Sequence, residues 1–225
     1  MSDDATRVDA DIGSYFATPI VTATLPQIEA LNQELAELFL SKEKDGDKHR
    51  NPMRIPTQVG DVFESSFDLF NWPDPPVRTL ARACNVLLRD LIATVNEYDA
   101  EQMRGLTFHY HSWFHITRYG GYQSIHYHPD ASWSGIYCVC PGDAVEGRPE
   151  SGAVKFYDPR GAAFMHVDPG NERFVPGFNT RPVYFIHKAG QLVMFPSWLM
   201  HEVLPYVGQT ERIVVAYNAW VKRQQ

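Results

Sequence analysis

The chain of 225 residues is poor in several things, and each absence narrows its class. It has 3 cysteines, Cys84, Cys138 and Cys140, an odd number without framework spacing. That argues against a disulfide scaffold and for a reducing compartment. Basic charge is not in surplus: 20 Lys and Arg stand against 27 Asp and Glu, a net charge of −7. A nucleic-acid binder would show a basic stripe, and none is visible. No apolar run approaches the roughly 20 residues needed to span a bilayer. The opening segment, MSDDATRVDADIG, is acidic and lacks the apolar centre of a secretory signal. The expectation is a cytoplasmic protein whose partner is a small-molecule or amino-acid-like substrate, with no nucleic acid and no membrane. Oligomeric state is not legible, a homodimer being one option.

What is present is an ordered change of character along the chain. The length suits one domain over 1–225, with a helical support region over 1–104 and a β core over 105–225. Residues 1–13 read as a flexible lead, and Tyr15 to Ala23 as a short strand or extended arm. Thr24 and Pro26 are suited to open a helix. Ile28, Leu31, Leu35, Leu38 and Phe39 then recur at helical spacing to about Ser41. Residues 42–58 are charged and contain two prolines, the marks of a loop. Asp74-Pro75 opens a second helix running to about Glu97. After Gly105 come runs of β-branched and aromatic residues separated by Gly, Pro, Asn and Asp. The expected fold is mainly β with N-terminal helices: a double-stranded β-helix, a cupin-like jelly roll supported by two or more α-helices. The Gly- and Pro-rich stretch 142–180 is long for a connector, and is expected to hold a short strand near Val154–Tyr157. With 42–70 it is the expected source of specificity.

Nine histidines are unevenly informative. His49, His166 and His187 stand alone, and a lone histidine is more often a hydrogen-bonded or surface group than a ligand. His126-Tyr127-His128-Pro129-Asp130 is different, because side chains two apart on a strand project to one face. A distant histidine, His201, delivered by the apolar run FPSWLMH, can close a facial metal site with open positions for substrates. Arg212 lies eleven residues further on, about a turn plus a returning strand, and brings a guanidinium suited to a carboxylate. The middle ligand has two readings. His128 completes an all-histidine set with His126 and His201, while His128-Pro129-Asp130 is itself a His-x-Asp, with Asp130 as the alternative ligand. Pro129 favours His128, since proline suits a turn after the ligands. Cys138 and Cys140 lie in an apolar strand pattern, where small thiols are packing residues. Trp113, His115 and Tyr119 are candidates to line a substrate pocket, and Lys155 and Arg160 either to meet an acidic substrate or to form a solvated rim.

The segments RYGGYQSIHYHPDASWSGIYCV, VKFYDPR and GQLVMFPSWLMHEVLPYVGQTERIVVAYN, in that order, resemble 2-oxoglutarate- and Fe(II)-dependent oxygenases of the prolyl-hydroxylase-like class. Phe16-Ala17-Thr18-Pro19 is similar to the opening of one group within it. The resemblance implies iron at His126, His128 and His201, 2-oxoglutarate as co-substrate with dioxygen, and Arg212 on the far carboxylate. Two positions depart from the pattern: Tyr137-Cys138 replaces Tyr-Tyr, and Val214 replaces a serine. That leaves Tyr137 as the expected helper in binding the co-substrate. The function implied is a dioxygenase hydroxylating a small or amino-acid-like substrate with release of succinate and CO2. Two alternatives stay open from sequence: a cupin-like metal enzyme that uses no 2-oxoglutarate, and a non-catalytic metal-binding module.

Overall fold

The computed structural model describes residues 12, 14–26, 28–53, 55–161 and 166–224. All of the lead over 1–13 except Ile12 lies outside them. Among the described residues, eleven strands form two antiparallel sheets: β1 Val21–Thr24, β2 Gln58–Val59, β3 Val62–Glu64, β4 Leu106–Thr117, β5 Tyr122–His126, β6 Trp133–Cys140, β7 Val154–Phe156, β8 Val183–Phe185, β9 Gln191–Pro196, β10 His201–Val203 and β11 Arg212–Arg223. The larger sheet has the order β1-β9-β6-β11-β4-β3 and the smaller β2-β5-β10-β7-β8. Three helices precede the long strands: α1 Ile28–Lys44, α2 Pro75–Asn96 and α3 Ala100–Arg104. This is the mainly β, double-stranded β-helix architecture expected. Among the described residues, no helix is long and apolar enough to cross a membrane.

The helices form where local chemistry favours them. In α2, Asp74 precedes Pro75 at the first turn, where proline's missing N–H costs nothing. Val77, Leu80, Cys84, Leu88 and Leu91 recur every three or four residues and make its buried stripe. The helix stops at Glu97, which takes a left-handed conformation (φ 55°) and returns its N–H to the last turn. Asp99 and Gln102 close a reciprocal capping box on the short α3. Thr24 does not cap α1. It is the last residue of β1, paired with Gln191, and the helix begins at Ile28 and runs past Ser41 to Lys44.

The region 1–104 is not only a helical support. β1 and β3 are the edge strands of the larger sheet, and β2 is an edge of the smaller. β1 falls on the segment expected as a short strand or extended arm, while β2 and β3 are too short to show in composition and pair with partners far along the chain.

The larger sheet is covered on both faces. Phe114, Ile116, Tyr137, Val139, Leu192, Met194, Ile213, Val215 and Tyr217 pack on one side with Leu35, Phe39, Leu80 and Leu88 of α1 and α2. Phe39 stacks on Phe114 with ring centroids 4.2 Å apart. The alternate residues, Trp113, Ile136, Val193, Phe195, Val214 and Ala216, face the smaller sheet with Val154 and Phe156. Phe114→Ala is expected to lower unfolding free energy by about 3–5 kcal/mol, the usual cost of emptying a buried aromatic site. Val86→Thr, on the exposed side of α2, should change it by no more than about 0.5 kcal/mol. Urea denaturation of the two variants checks the difference.

Candidate metal centre

Sheet register brings two distant histidines together. In the smaller sheet β10 runs antiparallel to β5, and His201 is the direct cross-strand partner of His126. Directly opposed residues have side chains within contact of each other, and the two rings lie with centroids 4.3 Å apart. His128 follows just beyond the end of β5, where its backbone N–H donates to the Ser197 carbonyl at 2.8 Å. That bond ties the chain leaving β5 to the turn after β9, and the His128 ring sits 5.1 Å from His126 and 5.3 Å from His201. One donor atom from each of the three residues lies within 4.8 Å of the others, so the three could hold a metal ion. No other such group occurs among the described residues. Asp130 is exposed in the following turn and stands outside the cluster.

The rings are set for ligation before any metal arrives. His126 Nδ1 lies 2.7 Å from the Ser124 carbonyl and His201 Nδ1 lies 2.8 Å from the Leu199 carbonyl. A carbonyl can only accept, so Nδ1 carries the proton in both and Nε2 keeps its lone pair. Such outer contacts fix both tautomer and ring orientation in metal sites. Burial lowers the pKa of His126, and burial together with the neighbouring imidazoles pushes His128 down to about 4 and His201 to about 3. All three are therefore neutral near pH 7, the form that binds metal.

The histidines stand at a cavity of about 330 Å³ between the two sheets. Trp113, Ile136, Phe195, Val214 and Ala216 give it apolar walls. Arg212 is also in its lining, is only 3% exposed, and its Nη2 has no hydrogen-bond partner. Burial disfavours the guanidinium charge, drawing its pKa below the usual value. An uncompensated buried cation is costly and calls for an anion. Gly152 makes room for this side chain. A Cβ there would come within 2.8 Å of Arg212 Cδ, and the backbone has φ +67°, a conformation glycine adopts freely.

The other candidates divide. Trp113 and His115 line the cavity. Tyr119 does not: it lies in the turn between β4 and β5 and is 65% exposed. Tyr137 does not reach the cavity either. It occupies the alternate register of β6, faces the helices, and donates its hydroxyl to Asn32 Oδ1 at 2.6 Å. Lys155 is engaged by Glu202 at 3.1 Å and Arg160 by Asp158 at 2.6 Å, so both have carboxylate partners within their own segments. Cys138 is a buried free thiol that burial pushes up to about 12, a packing residue rather than a thiolate ligand. Among the described residues, 42–70 contributes Ile55, Thr57, Val62, Glu64 and Phe67 to the lining and 142–180 contributes none.

Sequence reasoning missed Glu64. It pairs across strands with His115, and its Oε2 lies 2.7 Å from His115 Nε2. Asn51 donates to its other oxygen at 2.7 Å. Burial would raise this carboxyl, but the His115 contact and the Asn51 bond bring it below its ordinary value. Trp113 Nε1 is 3.1 Å from the same His115 nitrogen. One ring nitrogen cannot both donate to Glu64 and accept from Trp113, and the short contact to a carboxylate favours donation. The only sequence signal was an apolar pair, Val62-Phe63, before Glu64, between the expected loop over 42–58 and the helix opening at Asp74-Pro75.

The fold thus brings three histidines that could hold a metal ion and a buried arginine to one cavity. Residues 111–218, which carry all four of these residues, match the family model described as "Putative 2OG-Fe(II) oxygenase". Over this segment the chain is similar to the 2-oxoglutarate- and Fe(II)-dependent oxygenases that the model describes. No curated protein matches it in sequence. Among solved structures, a prolyl-4-hydroxylase from Pseudomonas putida is 18% identical, with 92% of each chain covered and a TM-score of 0.57. A prolyl hydroxylase from Trichoplax adhaerens, in complex with a hypoxia inducible factor oxygen degradation domain peptide, is 10% identical, covering 89% of this chain and 83% of that one, with a TM-score of 0.55. The epimerase SnoN from nogalamycin biosynthesis, in complex with Fe3+, alpha ketoglutarate and nogalamycin RO, is 11% identical, covering 94% and 84%, with a TM-score of 0.56. At these identities the likeness is one of fold.

Titration of metal-free protein with Mn(II) is expected to show one site. His201→Ala should weaken it by more than the roughly 10–100-fold typical of losing an outer-sphere partner. Asp130→Ala should leave it unchanged. Isothermal calorimetry distinguishes the two.

Proposed function

We propose that this protein is an Fe(II)- and 2-oxoglutarate-dependent dioxygenase that hydroxylates a small or amino-acid-like molecule, releasing succinate and CO2. His126, His128 and His201 hold the iron, and Arg212 holds the far carboxylate of 2-oxoglutarate. The observation that carries this reading is the pairing of converging neutral imidazoles with a buried, unsatisfied guanidinium in one cavity. Three imidazoles suit Fe(II) and leave positions open. The dianionic co-substrate offsets both the metal's charge and that of Arg212. A metal enzyme of the same fold without an acid co-substrate would leave Arg212 with no counter-charge.

When bound, iron and 2-oxoglutarate supply the oxidising chemistry, and the chain supplies position, charge and exclusion of water. The apolar walls built from Trp113, Ile136, Phe195 and Val214 keep the site dry. Arg212 offers a planar donor fork that orients a carboxylate, which a lysine would not reproduce. The substrate meets a different surface. Phe67 and Trp113 pack edge to face, with centroids 5.0 Å apart, and His115 is held in place by Glu64. That combination favours a molecule with an apolar body and one hydrogen-bonding group. A cavity of about 330 Å³ that also admits 2-oxoglutarate favours a small substrate or a single side chain.

Thermal unfolding of the Mn(II)-loaded protein tests the co-substrate assignment. With 2-oxoglutarate at a hundred times its dissociation constant the gain is about 2.7 kcal/mol, a rise of about 5–10 °C for a chain of this size. Arg212→Ala should abolish the rise. No stabilisation of the wild type by millimolar 2-oxoglutarate would refute the reading. Glu64→Leu, which releases His115, is expected to leave this stabilisation intact and to slow substrate-coupled succinate formation at least tenfold relative to uncoupled turnover.

A further inference from the structure

Among the described residues, Glu64 is the only acidic side chain in the lining of the cavity. It is 5% exposed, and no Lys or Arg described in the structure forms an ion pair with it. Its contacts are with two side-chain amides and an imidazole: Asn51 donates to Oε1 at 2.7 Å, Gln58 donates to Oε2 at 3.4 Å, and His115 Nε2 lies 2.7 Å from Oε2. Burial works against the charge, but the His115 contact and the Asn51 bond outweigh it, so the carboxyl is ionised near pH 7. A neutral His115 ring spends its N–H on Glu64 and leaves that charge uncancelled. A buried anion held by neutral donors calls for a cation in reach.

The place for a cation in this cavity is the histidine cluster. Trp113 stands between the two groups. Its Nε1 is 3.1 Å from His115 Nε2, and its ring centroid is 6.2 Å from that of His115 and 6.2 Å from that of His128. Glu64 and His126 are close enough that each favours the other's charged form. The walls around them are apolar, so charges act over a longer reach than in water. Three imidazoles bring no charge to a metal ion, whereas a set containing a carboxylate brings one negative charge. Asp130, the acid beside the histidines in sequence, lies outside the cluster. A divalent metal with Arg212 therefore outweighs a dicarboxylate by one positive charge, and Glu64 carries one negative charge. Its oxygens are engaged by Asn51, Gln58 and His115, which hold it as a fixed charge rather than a ligand.

We propose that Glu64 is the counter-charge of the three-histidine metal site, an outer carboxylate that supplies the negative charge an all-imidazole ligand set lacks. The proposal rests on the metal reading above. It makes Glu64 a positioning residue that acts on the metal through space, in addition to holding His115.

Calorimetric titration of metal-free protein with Mn(II), and then of Mn(II)-saturated protein with oxalate, tests it through effects of opposite sign. Glu64→Gln should weaken Mn(II) about 10-fold or more, the range for groups outside the ligand shell. The same variant should tighten oxalate, a chelating dianion, by about 3-fold or more, since a nearby negative charge is gone. Glu64→Asp, which keeps the charge, should recover most of the Mn(II) affinity. Gln58→Lys offers a second route that leaves Glu64 in place. Gln58 lines an adjoining pocket rather than the cavity, and an ammonium there should offset the carboxylate and move both affinities in the same directions as Glu64→Gln. Unchanged Mn(II) binding in Glu64→Gln and Gln58→Lys would overturn the proposal and leave Glu64 only its hold on His115. Weakening of Mn(II) and oxalate together would mark a structural role and overturn it as well. If His201→Ala binds Mn(II) like wild type, the metal reading falls and takes the proposal with it. If the opposite signs appear but Mn(II)-loaded wild type does not bind 2-oxoglutarate, the co-substrate reading falls and the role of Glu64 stands.

Discussion

Side chains on a β-strand alternate between its two faces, and in this chain both faces of the larger sheet are buried against different neighbours. In β6 and β11, Tyr137, Val139, Ile213 and Val215 pack toward α1 and α2, and Ile136, Val214 and Ala216 face the smaller sheet. The two sets are not interchangeable. Tyr137, Val139, Ile213 and Val215 make hydrocarbon core, whereas Ile136, Val214, Ala216 and Arg212 wall the cavity. A shift of one residue would send Arg212 toward the helical core and turn Ile213 and Val215 toward the cavity. The helical layer therefore holds the register on which the site depends.

The candidate metal centre uses the smaller sheet in a complementary way. Its strands are short, and their contribution is one cross-strand pair, His201 with His126. His128 joins that pair from the turn beyond β5, anchored through Ser197. Two backbone carbonyls then hold the imidazoles in one tautomer. The site is thus preorganised by ordinary sheet and turn hydrogen bonds. The chemistry it carries is defined by what the larger sheet places opposite: dry walls, a buried cation and the Glu64–His115 pair.

Much of this was legible from local pattern. The helices over 28–44 and 75–96 follow from spacing, proline and aspartate positions. The change to β structure after Gly105 follows from β-branched and aromatic runs. His126, His128, His201 and Arg212 stand out because their residue types and spacing suit one chemistry. The misses share a cause. β2 and β3 contain few residues each, and their strand character comes from partners far along the chain. Glu64 is an ordinary acid in a charged region until β3 is laid beside β4.

What the sequence by itself determined is a class: a mainly β fold, a histidine set that could hold a metal ion and an arginine suited to an acid. These follow from residue type, period and order, which are local properties. Only the tertiary structure decided which of several plausible side chains face the cavity. It placed Tyr137 against Asn32 and Tyr119 in solvent, left Asp130 outside the cluster, and buried Arg212 with one nitrogen unpartnered. The physical reason is that facing, burial and unsatisfied hydrogen bonds are properties of packed neighbours. They are set by register between strands distant in sequence, and no single segment carries them.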